Sequence, residues 1–276
     1  MSRINTNVSS LIAQRILGQQ NLTLNKSLER LSTGLAINRG ADGPADLISS
    51  ERLRAALATL EAESAALQRI DQVATTADGA LSEVSTLLTD ASGLQLQLAN
   101  DGALSDDEKA AIQGQLDSIL QSVDRISNST QLNGQTLLNG SANLTAAGET
   151  LALPNVSSSN LGAVDAGGET VHLSDIGSGG ALAGDHETAQ QVLDAAISEV
   201  ATARGQIGSF QTFTIDTRLK SIGTQIELTT EAESLIRDTE YAFEVANFAR
   251  LRTLSNVSIK TLAVLNRNQD EVLNLL

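Results

Sequence analysis

Two histidines, His172 and His186, are the residues of this chain best suited to proton transfer or metal binding near neutral pH. His186 lies between Asp185 and Glu187, and an imidazole with carboxylates is a common ligand set for a divalent metal. Adjacent residues on a helix point in different directions, however, so these three side chains do not converge on one ion. We interpret the triplet as a solvated helix start and expect no metal or other cofactor.

The sequence also lacks the residues and motifs that other common catalytic sites require. The chain has no cysteine, which excludes a thiolate nucleophile, a disulfide and a cysteine zinc site. It contains no H-E-x-x-H, no G-x-S-x-G and no phosphate-binding glycine loop. We therefore expect a protein that is not an enzyme, with interaction surfaces as its functional parts.

The composition favours long helices with a thin apolar core. Apolar residues make up 41% of the 276 residues, aromatic residues only 2%, and there are two prolines. A net charge of −15 argues against a nucleic-acid partner, because phosphate binding needs a basic surface. No apolar run is long enough to cross a membrane. The start, MSRINTNVSS, does not resemble a signal peptide, so any secretion is expected to occur without a cleaved signal.

Apolar stripes at both ends of the chain predict two helices that pair as a coiled coil. Leucines recur near the start, and leucines and a valine near the end, at a mean spacing close to 3.5 residues, which places them along one helix face. We expect these positions to be the seams through which the protein assembles with its neighbours. They are Leu24, Leu28, Leu31, Leu35, Leu251, Leu254, Val257, Leu262 and Leu265.

The middle of the chain predicts further long helices. A heptad pattern runs from Leu47 to Asn100, and Pro44 suits the first position of that helix, with Asp42 as its cap. Ser105, followed by three acidic residues, predicts the start of the next helix. Helix is expected to resume near Asp185. The predicted fold is mostly all-α, a helical rod or coiled-coil bundle with paired terminal helices.

Residues 128–184 differ in composition from the helical segments. They are rich in Gly, Asn, Ser and Thr, and short alternating pieces occur at 149–153 and 169–173. We predict one or two small β-hairpins with long turns at the tip of the rod. A structureless linker is the alternative.

Several ordered blocks of sequence resemble bacterial flagellin. They are INTN at 4–7, LERLSTGLAIN at 28–38, LNGQTLLNG at 132–140 and IRDTEYAFEVANFAR at 236–250. The blocks occur in the family's order over nearly the whole chain. The gap between the second and third core helices holds only about 55 residues, so the chain is similar to a short flagellin without large outer domains.

The resemblance implies a structural subunit that polymerises into the helical filament used for swimming. It implies an inner terminal domain of residues 1–42 and 237–276, a core domain of 43–236, and a connector that includes Ser32, Gly34, Ile37 and Asn38. Ala36 stands where the connector often has a basic residue, and Arg39 would supply that charge. The implied partners are other subunits, an export chaperone, the filament cap and hook-junction proteins. The implied location is the extracellular filament, reached by type III export.

The family also has a surface recognised by the flagellin-sensing Toll-like receptor. The corresponding positions here hold Asp90, Leu94 and Gln115, where the family uses an arginine, a leucine and a glutamate. An acid in place of the arginine implies weak or absent receptor activation.

The sequence is compatible with two alternative functions. A hook–filament junction protein shares both end regions with flagellin but does not polymerise by itself, and copy number in sheared filaments separates the two. An unrelated enzyme or signalling coiled coil is disfavoured by the missing catalytic set.

Overall fold

The computed structural model describes residues 7–100, 104–182 and 184–274, with side chains described up to residue 267. Most of the INTN block at 4–7 lies outside these residues. The chain forms two compact units, which we call the terminal unit (1–60 and 225–276) and the core unit (61–224). The division into domains at 42/43 and 236/237 concerns the assembled protein and stays a prediction.

Six α-helices account for most of the described residues. They are α1 (Val8–Thr33), α2 (Pro44–Ala99), α3 (Asp106–Ser129), α4 (His186–Ser209), α5 (Asp216–Arg237) and α6 (Tyr241–Asn274). The mostly all-α prediction is confirmed.

Local sequence explains where these helices begin. Ser105 and Glu108 form a reciprocal capping box at the start of α3. The Asp185 side chain accepts a hydrogen bond from the Thr188 amide at the start of α4. Pro44 is the first residue of α2, as predicted, because its missing N–H costs nothing at that position.

The predicted heptad stripe of α2 forms the centre of the core unit. Most of its positions from Leu67 to Leu98 are buried, and polar side chains beside the stripe bond to α4, as Asp78 does to Arg204 at 2.9 Å. Those buried on α2 are Leu67, Ala74, Ala77, Leu81, Val84, Leu88, Ala91 and Leu98. One departure occurs at Leu94, which is only half-buried, while the neighbouring Gln95 is buried.

Three antiparallel hairpins lie between α3 and α4. They pair β1 (Gln131–Leu132) with β2 (Gln135–Thr136), β3 (Asn143–Ala146) with β4 (Glu149–Ala152), and β5 (Val164–Ala166) with β6 (Glu169–Val171). Each connection has two residues with positive φ, as in Asn133 (53°) and Gly134 (80°), which suits the twist of a two-residue hairpin. The prediction of hairpins is confirmed, but there are three rather than one or two, and their turns are short rather than long. The structureless linker is wrong. A 3₁₀ turn, Leu173–Ile176, follows β6.

A π-helical segment, Phe210–Ile215, joins α4 to α5 without a break. It buries Phe210 and Ile215, five residues apart, because a π turn contains more residues than an α turn. The sequence pattern predicted ordinary helix here. The step of five residues from Phe210 to Ile215, longer than the usual three or four, is the sequence signal of the π-helical segment.

Gly162 is expected to tolerate a side chain much less well than Gly167, another core-unit glycine with a left-handed backbone. Its φ is +70°, and a Cβ there would lie 2.5 Å from the backbone oxygen of Val192 in α4. Gly167 has nearly the same φ, +72°, but open space around it. Gly167→Ala should lower the free energy of unfolding by about 1 kcal/mol through backbone strain alone. Gly162→Ala should cost about 1–3 kcal/mol more, because α4 must shift. Urea unfolding followed by circular dichroism measures both, and equal losses would contradict the predicted close packing.

Candidate assembly interface

The first and last helices form an antiparallel pair in the terminal unit. Near one end the Asn7 side chain donates to the backbone oxygen of Leu265, with an N–O distance of 3.4 Å. Near the other end the Ser27 hydroxyl donates to the Glu244 carboxylate. The predicted pairing of the terminal helices is confirmed.

Polar side chains fill the contact between α1 and α6. Ser258 and Gln20 are 2.6 Å apart, Ser255 and Asn21 are 3.1 Å apart, and Ser10 also bonds across the pair. Among the described side chains of the two helices, the buried ones are Ser10, Ser27, Glu244, Leu251 and Ser255. Four of these five are polar, so hydrogen bonds rather than apolar packing line the centre of the pair.

Apolar side chains of the terminal unit instead face away from the chain. Of the eighteen large apolar residues that are exposed in the described part of the protein, sixteen lie in this unit. They are Val8, Leu11, Ile12, Ile16, Leu22, Leu28, Ile48, Leu228, Leu235, Tyr241, Phe243, Val245, Leu254, Val257, Ile259 and Val264. Among the residues whose burial is described, Ile37 and Leu251 are the only buried apolar ones there, against thirty-three in the core unit. An apolar surface of this extent is typical of a protein-interaction site.

Some of the predicted seam residues are buried within the chain, and others are exposed. Leu251 is buried, whereas Leu28 is 54%, Leu254 40% and Val257 53% exposed. The others are half-buried, namely Leu24, Leu31, Leu35, Leu262 and Leu265. The periodicity located apolar positions but did not show which face meets α6 and which remains open. Their role in assembly stays a prediction.

The connector after α1 is held by a short β-like pairing with the segment before α6. The Ala36 amide donates to the Arg237 oxygen at 2.7 Å, and the Thr239 amide donates to the Gly34 oxygen at 2.9 Å. Ile37 is buried, and the Asn38 side chain donates to the backbone oxygen of Leu35. Ser32 is exposed in the last turn of α1. Three of the four predicted connector residues therefore lie in or beside this pairing.

Asp42 organises the turn that follows the connector. Its carboxylate forms an ion pair with Lys26 at 2.7 Å and accepts hydrogen bonds from the Asn38 and Arg39 amides. The ion pair with Lys26, followed by the amide hydrogen bonds, lowers the Asp42 pKa from 3.8 to about 2. The prediction that Asp42 caps α2 is wrong, because Gly43 directly precedes Pro44 and the carboxylate is engaged by the connector. The Arg39 guanidinium pairs with Glu29 of α1 at 2.9 Å.

The positions that correspond to the receptor-recognition surface lie on two helices of the core unit. Asp90 is exposed and Leu94 half-buried on α2, and Gln115 is exposed on α3. Their effect on receptor binding stays a prediction.

The histidines occupy structural positions. His186 is the first residue of α4, and its Nδ1 lies 3.1 Å from Nε2 of the buried Gln95. The His172 amide donates to the Asp175 carboxylate before the 3₁₀ turn. No group of three metal-ligating side chains is present among the described residues. Within the same residues, no helix is both long and apolar enough to cross a membrane.

The polar centre of the α1–α6 pair, including the buried carboxylate of Glu244, was not predicted from the sequence. Its only signal there is the set of serines that the pair buries, Ser10, Ser27 and Ser255. Serine, however, is so common on solvated helix faces that it did not distinguish a contact surface.

A helical protein whose paired terminal helices bond through polar groups and expose their apolar sides belongs to the class of self-assembling subunits. Matches to protein-family models identify the family within this class. Residues 4–143 match the bacterial flagellin N-terminal helical region and residues 190–276 match the bacterial flagellin C-terminal helical region. The chain therefore belongs to the bacterial flagellin family.

Individual relatives match over almost their entire length. The chain is 30% identical to the flagellar filament 30.7 kDa core protein of Treponema maltophilum and 31% identical to a flagellin of Halalkalibacterium halodurans. Each match covers 99% of both chains. It is also similar to the crystal structure of Bacillus cereus flagellin, at 21% identity, with 59% of this chain and 88% of that chain covered and a TM-score of 0.42. Nothing in these matches favours the hook-junction alternative.

The Asp42 carboxyl should titrate with a midpoint near pH 2 in a carboxyl-carbon NMR experiment on the full chain. Lys26→Gln should raise the midpoint toward 3.8, because it removes the largest cause of the lowered pKa. Arg39→Gln should leave it unchanged, because Arg39 donates to Asp42 through its backbone amide. Since the folded pKa is the lower one, Asp42 stabilises the connector fully above pH about 4 and loses this effect as the pH falls toward 2. A wild-type midpoint near 3.8 would contradict the assigned contacts.

Proposed function

We propose that this chain is the structural subunit of a bacterial flagellar filament and that it polymerises with copies of itself. The observation that carries the proposal is the distribution of apolar side chains between the units. The core unit buries its apolar residues, whereas the terminal unit exposes sixteen large ones. Subunits of the flagellin family assemble into a filament, and contacts between subunits in a filament would cover such a surface.

The physical basis of assembly is the burial of this surface. Each square ångström of apolar area removed from water contributes about 25 cal/mol, and a set of sixteen large side chains offers many such contacts. Contacts between different faces of successive copies repeat without closing, which produces a helical polymer. The net charge of −15 opposes premature association of free subunits, and salt in the medium screens that repulsion.

The further partners follow from the same exposed surface. Before assembly, apolar terminal helices would aggregate, so we propose that an export chaperone covers them in the cell. We propose that a filament cap and hook-junction proteins contact the same helices at the two ends of the polymer. Secretion would use the flagellar type III route without a cleaved signal and deliver the subunit to the extracellular filament.

The domain division at 42/43 and 236/237 is proposed as the one that operates in assembly. Residues 1–42 and 237–276 contain α1, the connector and α6, which carry most of the uncovered apolar side chains. Their ordering would be coupled to the docking of the subunit, as is usual for segments that lack partners when free. As a structural subunit, the protein needs neither a catalytic residue nor a cofactor.

Val257→Asp should prevent polymerisation. An unpaired carboxylate buried in a subunit contact costs about 3 kcal/mol or more, which raises the concentration needed for polymerisation by about a hundredfold or more. Removal of residues 251–276 should abolish filaments entirely, while the helical signal of the core unit remains. Electron microscopy and sedimentation measure assembly, and circular dichroism measures helix content.

Asn256→Asp is the matched control for this variant, because it adds the same charge at the neighbouring exposed residue of α6. It should assemble at a concentration near that of the wild type. Normal filaments from Val257→Asp would refute the proposed role of the exposed apolar face, and equal loss in both variants would attribute the effect to charge alone.

The proposed receptor surface predicts weak activation of the flagellin-sensing Toll-like receptor. Asp90 and Gln115 replace an arginine and a glutamate, so one charge would be reversed and the other lost. The double substitution Asp90→Arg, Gln115→Glu should raise potency by about tenfold or more in a reporter-cell assay. Full potency of the wild type at ordinary flagellin doses would overturn this proposal.

A further inference from the structure

Glu244 is a buried carboxylate at the centre of the α1–α6 pair. The residue is 3% exposed and accepts hydrogen bonds from the Ser27 hydroxyl and the Asn247 side chain. The Arg30 guanidinium lies 3.7 Å from it. Ser27 and Arg30 are three residues apart on α1, so they present one polar and one cationic group to the same place.

A buried charge is tolerated only where such partners meet it. Displacing α6 by one heptad would move Glu244 from Ser27 and Arg30 to the positions seven residues before or after them. The earlier positions hold Gln20 and Thr23, which carry no positive charge. The later positions hold Gly34, which has no side chain, and Ile37, which is buried and apolar. Both displaced alignments would leave the carboxylate buried without a cation.

The other contacts across the pair are less selective. Ser255 with Asn21 and Ser258 with Gln20 are neutral hydrogen bonds, and the serines, asparagines and glutamines along both helices can exchange partners at modest cost. The outward apolar faces do not select a register between α1 and α6, because they do not contact the partner helix. Along the two helices, the charged contact is therefore the one that distinguishes the observed alignment from its neighbours. The backbone pairing of Gly34 and Ala36 with the segment before α6 supports the same alignment from beyond the helix ends.

We propose that Glu244 is a positioning residue that fixes the register of α1 against α6. It thereby determines how the two outward apolar faces are aligned for the neighbouring subunits. This inference rests on the proposed filament function for its consequence, although the contacts that define the register lie within one chain. A single buried polar residue sets the register of a coiled coil in the same way.

The absence of cysteine from the sequence allows a direct test by site-specific cross-linking of the full chain. Cysteines at positions 21 and 255 report the observed register, because these side chains bond to each other. The pairs 21 with 262 and 21 with 248 report alignments displaced by one heptad. A short thiol-reactive cross-linker is applied to assembled filaments and to soluble chain. Mass spectrometry of joined peptides from the monomer band identifies links within one chain.

Otherwise unaltered chains carrying each cysteine pair should give the 21–255 link and only background for the displaced pairs. Glu244→Met keeps a helix-forming side chain of similar length and removes the buried charge. It should raise the displaced links about tenfold relative to the 21–255 link. Glu240→Met is the matched control, because it makes the same change at an exposed residue just before α6. Chains with Glu240→Met should give the 21–255 link and only background for the displaced pairs.

The outcomes separate the two proposals. Glu244→Met chains that give only the 21–255 link, in filaments or in solution, overturn the positioning role. A Glu240→Met control with equally increased displaced links also overturns it. The 21–255 cysteine chain with Glu244 intact tests the register, and the unaltered chain tests assembly. A 21–255 link in solution together with an unaltered chain that never forms filaments would refute the proposed function and leave the register result intact.

Discussion

The protein depends on where its apolar surface can be buried. In the core unit, α2, α3 and α4 enclose their apolar stripes, so this part can satisfy the hydrophobic requirement within one chain. In the terminal unit, two helices alone have too little surface to cover each other on every side. In its described part, the terminal unit therefore leaves sixteen large apolar residues uncovered, and contact with further copies is the natural way to bury them.

This constraint also explains the polar centre of the terminal pair. If α1 and α6 used their apolar faces against each other, those faces would be unavailable to neighbouring subunits. Hydrogen bonds between serine, asparagine and glutamine side chains hold the pair with little net free energy and keep the apolar faces outside. The buried Glu244 adds specificity, since its carboxylate has suitable partners only in the observed alignment.

Much of the fold could be predicted from local sequence. The stripe along α2, the capping sequence at Ser105, Pro44 at a helix start and the hairpin turns all act through nearest neighbours along the chain. The π-helical segment and the role of Asp42 were not predicted. The π-helical segment is a change of helical period within a continuous helix. The role of Asp42 depends on a group distant in sequence, because Asp42 binds Lys26 sixteen residues earlier.

The sequence by itself determined the elements and the family, because periodicity, caps and ordered sequence blocks are local properties. It also located the apolar positions at both ends of the chain. Only the tertiary structure decided which of these positions face inward and which remain exposed. The physical reason is that the spacing of apolar residues shows which of them share one face of a helix. Whether that face is buried depends on which other helix packs against it. Leu251 and Leu254 are both seam residues by spacing, yet one is buried against the chain and the other is open to a neighbour.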